Sequence, residues 1–381
     1  IAPCYSNAVV HVHDASKSVG VANSLMSETL KGAFLQDVDK EFERLRNLHY
    51  KTHSDSKIIP LSEARKNKLK VDWAQVTVKK PSFIGNRSFT DFPMEEIAAF
   101  IDWTPFFHTW ELKGSYPKIF DDPQRGVEAK KLFNDAQEML NKIMQEKWIT
   151  ANAVIGFYPA NANTEDDILI YADDQQKNLK TTLRTLRQQT LKPKGHFNLA
   201  LADFVAPADS GKVDYVGGFA VTTGIGIEKW IEKFDKDFDD YSSIMLKALA
   251  DRLAEAFAEL MHLKVRKELW GYANTEALSR EELIKEKYQG IRPAQGYPAC
   301  PDHTEKLTQF ELFEVEKNTG ITLTESMAMY PTSSVSGMYF SHPFSQYFGL
   351  GKINKEQLED YARRKGQDLS IIERWLSPVL I

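Results

Sequence analysis

The stretch at about 241–270 constrains this chain most. Its apolar residues Leu249, Leu253, Ala256, Phe257 and Leu260 recur at helical spacing. A helix of that length with an apolar stripe needs a large surface to bury it, so it is expected at the centre of the molecule. On another face Asp251, Glu255, Glu259 and His262 follow at intervals of four or three and form one polar stripe. Periodicity alone reads that stripe as a solvated face.

Around this helix the pattern mixes helix and strand. Residues 127–148 repeat as a long amphipathic helix, and 153–158 (AVIGFY), 168–171 and 215–221 read as strands. Pro93 opens a helix running to about 100, with two glutamates near the positive end of its dipole, and delivers Ile101-Asp102-Trp103-Thr104-Pro105-Phe106-Phe107. Residues 355–376 read as a charged helix pair broken at Gly366. Without regular alternation of the two element types, the residues support mixed α and β and nothing narrower.

The N-terminal part reads differently. Residues 8–13 (AVVHVH) are β-branched, and after a turn at 14–16 the spacing at 19–30 is helical. One such β-α unit cannot bury both its faces, so it is expected to be the closing piece of a doubly wound domain lying upstream. The chain starts with Ile and not Met, which agrees with a fragment of a larger polypeptide. A charged helix at 37–46 leads into the polar stretch 51–57, and 60–92 reads as an extended segment packed along a surface. The expected division is therefore a remnant at 1–35, a helical and polar linker at 36–70 and the main domain at 71–381.

Composition excludes several classes of function. With 42% hydrophobic and 27% charged residues the chain is expected to be a soluble folded protein. A net charge of -5 provides no positive field for nucleic acid. No apolar run is long enough to span a membrane, and no signal peptide is visible. Two cysteines, Cys4 and Cys300, suit a reducing compartment, so a cytoplasmic location is expected.

Several short motifs have ordinary readings. Thr223-Gly224-Ile225-Gly226 lacks the third glycine of a dinucleotide loop and reads as a tight turn. His11 with His13, and Cys300 with His303, lack the further ligands a metal site needs. The loop at 290–298 says more, because two prolines and two glycines exclude both regular helix and interior strand. It carries Arg292, whose planar fork can grip a carboxylate, and Tyr297, which can lie against a flat ring. That pairing suits an amino acid joined to a heterocycle; a proline-stiffened surface loop with Arg292 in a salt bridge fits the spacing as well. Asp102 is either a helix cap or an acceptor for an amine, and Tyr347 and Phe348 are either ligand contacts or core.

Taken in order, IDWTPFF, DDYSSIMLKALADRLAEAFAE, GIRPAQGYPACPDHTEK, LTESMAMYP and VSGMYFSHPFSQYF resemble the C-terminal reactivation module of cobalamin-dependent methionine synthase. VVHVHDASKSVGVANSLMS is similar to the end of that enzyme's cobalamin-binding domain. The resemblance implies an α+β fold: a twisted, mainly antiparallel sheet with flanking helices and a ligand groove along one edge, preceded by the β-α remnant. It implies a module that binds S-adenosylmethionine and supports reductive methylation of cob(II)alamin to methylcobalamin, with one electron from a flavoprotein reductase or flavodoxin. The parent enzyme would pass methyl groups from methyltetrahydrofolate to homocysteine.

By the same resemblance, the family's R-x-x-x-G-Y motif falls on Arg292, Gly296 and Tyr297, with Arg292 on the ligand carboxylate and the backbone near Ala294 on the adenine. Asp102 would accept from the ligand's amino group, and Tyr347 and Phe348 match the family's Tyr-aromatic pair. Asp251 and Glu255 would face the cobalamin side, and Ala15 would touch the corrin from the remnant. Gln295 departs from the family's proline and adds flexibility to the loop. The cobalt-ligating histidine, folate module and homocysteine zinc site have no counterpart here, so the fragment alone is not expected to make methionine. Two alternatives remain. A free-standing methyltransferase would need a glycine-rich loop that is absent, and a redox-docking module without ligand chemistry would make Arg292 and Tyr297 dispensable for ligand binding.

Overall fold

The N-terminal residues fold as helices without their strand. In the computed structural model, which describes residues 5, 7–12, 15–53 and 57–381, α1 (Ala15–Met26) and α2 (Lys31–His53) contact each other across a short turn. The strand expected at 8–13 is not formed: residues 8–12 are irregular, and His13, like Cys4, lies outside the described residues. A strand needs neighbours to take its N–H and C=O groups, and no described strand of this chain pairs with it. α2 runs well beyond the helix expected at 37–46, in both directions.

The chain divides into two compact units, Ile1–Ile58 and Ile59–Ile381. Packing in the second begins upstream of residue 71, because α3 (Leu61–Lys66) buries Leu61 and Ala64 while Arg65 pairs with Asp166 and Asp360. After an extended segment come β1 (Gly85–Phe89), α4 (Met94–Ala98), α5 (Thr104–Thr109) and α6 (Gly126–Glu146). The strands β2 (Thr150–Ala162), β3 (Asp167–Tyr171), β4 (Leu179–Arg184) and β5 (Asp214–Ile225) follow. Then α7 (Ile227–Lys236) leads into the long α8 (Asp240–Lys264), which continues as a π-helical turn at Val265–Leu269. The remainder holds α9 (Arg280–Ile284), α10 (Glu305–Leu312), α11 (Val315–Thr319), a ribbon of β6 (Thr322–Leu323) and β7 (Met329–Tyr330), and β8 (Ser334–Tyr339). The expected C-terminal pair closes the chain as α12 (Lys355–Lys365) and α13 (Leu369–Leu376), with Gly366 ending α12 at φ 66°.

The main sheet has the order β4-β3-β2-β5-β8, with β1 also on β2, and every pairing between its strands is antiparallel. The architecture is α+β, as expected. β2 and β5 are apolar almost throughout, because both sheet faces are covered. On one face Phe219 and Val221 pack with Leu249, Leu253 and Phe257 of α8, which makes that helix central. On the other, Val154 and Ala220 pack with Leu312 and Phe313 after α10. A smaller cluster around Ile353, Tyr361 and Ile372 holds the C-terminal helices. Close to it, Arg187 is buried between Asp166 (2.5 Å) and Asp203 (2.7 Å).

Beyond β8, His342 is buried beside Trp73 and Phe344. Its Nδ1 accepts from the Phe344 N–H, its Nε2 has no hydrogen-bond partner among the described residues, and burial pushes the ring down to about 4. The unfolded chain takes up a proton near pH 6.5 and the folded one only near 4, so stability is lost as pH falls through that window. This group should cost on the order of 3 kcal/mol by about pH 4. His342→Asn keeps an acceptor and removes the titration. Urea unfolding at pH 7 and about pH 4.5 should show a smaller acid loss in the variant, and an equal loss would refute the assignment.

Candidate functional site

β8 is an edge strand of the sheet, and half of that edge is already used. The N–H groups of Phe340 and Met338 donate to Ile291 O (3.0 Å) and Pro293 O (2.9 Å), so the loop at 290–298 first runs beside β8 like a further strand. After Pro293 it turns away. The edge beyond opens into a groove of about 690 Å³ floored by Ser334 and Ser336. The hydroxyl of Ser336 is buried there without a hydrogen-bond partner among the described residues.

The turn is made by Gly296 at φ 91°, a conformation that side chains resist. Its N–H donates to Cys300 O (2.8 Å), and Cys300 N–H donates to Tyr297 O (2.9 Å), which closes the loop tightly. A β-carbon on Gly296 would overlap the His303 ring. The Cys300 thiol donates to Ala294 O (3.3 Å). Burial, reinforced by Glu305 and Asp302, pushes that thiol up to about 12, so it keeps its proton and its donor role.

Arg292 enters the groove from the same loop, with 19% of its side chain exposed. Only Nη1 is used inside the protein, on Glu259 Oε2 (2.7 Å), His262 Nδ1 (3.2 Å) and Tyr288 OH (3.3 Å). Nε and Nη2 have no hydrogen-bond partner among the described residues and remain accessible. The Arg292 backbone N–H donates to Tyr347 OH (3.1 Å), which ties the loop to the segment after β8.

The structure therefore brings Arg292, Ala294, Tyr297, Tyr347, Phe348 and Glu255 to one groove. Gly296 shapes the loop without lining it. Asp102 does not line the groove either; its Oδ1 accepts the Thr104 N–H (3.0 Å), and the N-cap of α5 is Trp103. Asp251 is exposed, pairs with Arg252 (2.5 Å) and lies off the lining. Ala15 begins α1 in the other unit.

The polar stripe of α8 is solvated only in part. Asp251 and Glu255 are exposed, whereas the Glu259 side chain is 16% exposed and His262 is fully buried, because the Arg292 loop and Tyr288 cover the last turns. Glu286, His303 and Lys306 also line the groove; Glu286 and Lys306 were not singled out from sequence, and His303 was weighed there only as a metal ligand beside Cys300. His303 stood inside the quoted GIRPAQGYPACPDHTEK stretch, but its place under Gly296 depends on a turn that spacing does not show.

The fold and this groove define the class: an α+β module with a ligand-sized cleft at the open edge of an antiparallel sheet. Residues 93–366 match the family model described as the vitamin B12 dependent methionine synthase activation domain, and the chain belongs to that family. The family is a domain of cobalamin-dependent methionine synthase, a methyltransferase. The chain is also similar to a solved structure, the crystal structure of the MetH reactivation domain bound to AdoHcy, at 52% identity and a TM-score of 0.83. That match covers 85% of this chain and 99% of the other. Among the described residues no helix is long and apolar enough to cross a membrane.

Proposed function

We propose that this chain binds S-adenosylmethionine in the β8-edge groove and supports reductive methylation of cob(II)alamin to methylcobalamin, with one electron from a flavoprotein reductase or flavodoxin. The observation that carries the reading is the Nε–Nη2 edge of Arg292, unpaired at a groove of about 690 Å³. Family membership and a similar domain that holds AdoHcy support it. A planar edge with two parallel donors suits a carboxylate. The loop backbone at Ala294, brought close by the side-chain-free Gly296, takes the adenine, with Tyr297, Tyr347 and Phe348 as aromatic walls.

Glu255 contributes a carboxylate near the ligand's positive sulfonium, and Asp251 extends that negative face outside the groove. Asp102 lies off the lining, so its proposed contact with the ligand's amino group requires the ligand to extend beyond the groove. The protein's task is to hold the methyl group in line for transfer. Cobalamin, carried by the cobalamin-binding domain of the same polypeptide, supplies the metal that accepts it. In this reading residues 1–35 are the end of that domain, with Ala15 toward the corrin, and of the linker expected at 36–70 the part from Ile59 onward belongs to the module's own compact unit. The parent enzyme passes methyl groups from methyltetrahydrofolate to homocysteine in the cytoplasm.

Calorimetric titration of the native chain with S-adenosylmethionine should show saturable binding. Arg292→Ala should weaken it at least about tenfold, or 1.4 kcal/mol. Equal affinity in the variant, or no binding by a verified folded native chain, would leave a redox-docking module without ligand chemistry.

A further inference from the structure

A guanidinium on a flexible stem grips a carboxylate well only if something holds it in place, since ordering such a side chain costs rotamer entropy. For Arg292 the holding groups lie behind the groove. Nη1 faces Glu259 Oε2 (2.7 Å), His262 Nδ1 (3.2 Å) and Tyr288 OH (3.3 Å), so a swing of the fork would break all three contacts together. Glu259 and His262 come from the final turns of α8, Tyr288 from the segment after α9. Three residues from two elements thus converge on one nitrogen.

Two of the three holders, His262 and Tyr288, are themselves held. For His262 Nδ1 to accept from Arg292, the ring proton must sit on Nε2, which faces Tyr272 OH at 3.4 Å. Burial, with the Arg292 and Arg266 charges nearby, keeps that ring neutral. Tyr288 lies on the Arg266 guanidinium (4.2 Å to its ring centre) and meets the His262 ring edge-on at 4.8 Å. Arg266 is fully buried, paired with both oxygens of Glu276, and sits in the π-helical turn at Val265–Leu269. Irregular turns of this kind often mark functional positions in long helices.

Glu259 has no other hydrogen-bonding task. Its Oε2 serves Arg292, and its Oε1 is buried without a partner among the described residues. Leaving a carboxylate oxygen buried and unpaired is costly, and core stability gives no reason for it.

We propose that Glu259, backed by His262 and Tyr288, is a positioning residue: it clamps Nη1 of Arg292 so that the Nε–Nη2 edge faces the groove, ready for a ligand carboxylate. The proposal rests on the carboxylate role given to Arg292 above. Glu259 acts only through that side chain and touches no ligand. The acidic stripe on α8 then has two functions, a solvated end at Asp251 and Glu255 and a covered end that orients the arginine.

The test is a double-mutant cycle read by titration with S-adenosylmethionine. Glu259→Ala should weaken binding about tenfold, and Glu259→Gln, which keeps an acceptor for Nη1, should stay within about threefold of native. The double variant Arg292→Ala with Glu259→Ala should bind no more weakly than Arg292→Ala alone. A general structural effect would instead multiply the two losses and would not be rescued by Gln, and either result would overturn the proposal. Should Glu259→Ala fail to unfold cooperatively, Tyr288→Phe takes its place, since it keeps the ring on Arg266 and removes one acceptor. A loss of about threefold is expected there, and native affinity would count against the clamp. Native affinity in Arg292→Ala would defeat the carboxylate reading itself, whereas weak Arg292→Ala beside native-like Glu259→Ala would defeat only the clamp.

Discussion

Gly296→Ala should cost most of the chain's affinity for S-adenosylmethionine while leaving its unfolding transition close to native. Two effects act at that position. The backbone sits at φ 91°, where an L side chain is strained by about 1–2 kcal/mol. The new β-carbon also overlaps the His303 ring, and overpacking of this kind costs about 1–3 kcal/mol. Together these reach on the order of 3 kcal/mol, about a hundredfold in the population of the native turn. Because the turn around Gly296 is closed by its own hydrogen bonds, while the bonds to Met338, Phe340, Tyr347 and Leu350 lie at residues 291–293 and 298, it can shift without unfolding the sheet. The loss should therefore appear in calorimetric titration more than in melting temperature. Adding His303→Ala removes the overlap and leaves the strain, so it should restore part of the affinity. Native binding by Gly296→Ala would show that the turn does not shape the ligand site.

The elements legible in sequence are those whose packing follows their own period. α8, α6 and the C-terminal pair each bury one stripe, and β2 and β5 are long apolar runs between two covered faces. β1, with the sequence GNRSF, has no such pattern and is a strand only because β2 offers it an edge at 153–157, beside the stretch where β3 pairs. Residues 8–12 show the converse, since β-branching suggested a strand where no described neighbour exists.

The loop at 290–298 was legible through its prolines and glycines, and so were its arginine and tyrosine. Its support was not. Glu259 stands 33 residues from Arg292 in the chain, and nothing in the period of α8 shows where the solvated part of the stripe ends and the covered part begins. That boundary is set by a loop crossing over the helix, a long-range contact. Asp102 stayed open for a related reason: its carboxylate accepts the Thr104 N–H two residues on, a local turn bond that an aspartate makes regardless of any ligand.

The largest stability effect is expected at Phe313→Ala, with a cost of about 3–5 kcal/mol. Phe313 is fully buried at the end of α10, and its ring lies against Gly156 and Gly218, which are opposite each other on β2 and β5. A β-carbon at either glycine would overlap that ring, so the two strands leave a slot that only glycine pairs can make. Removing the ring leaves a cavity that a sheet paired on both sides cannot close. In thermal unfolding the loss should reach roughly 5–10 °C for a unit of this size. Gly218→Ala should also destabilise, by about 1–3 kcal/mol, because the ring must move. In the double variant the added methyl enters the space the ring has left, so its cost should fall below the sum of the two. Strict additivity would show that ring and glycine do not share the slot. The slot matters to the groove as well: Gly218 is paired with Met338, whose N–H holds Pro293 O and with it the start of the Arg292 loop. Ring, strand pair, sheet edge and loop form one mechanical chain, and Gly218→Ala should accordingly weaken ligand binding at a temperature where the protein is still fully folded.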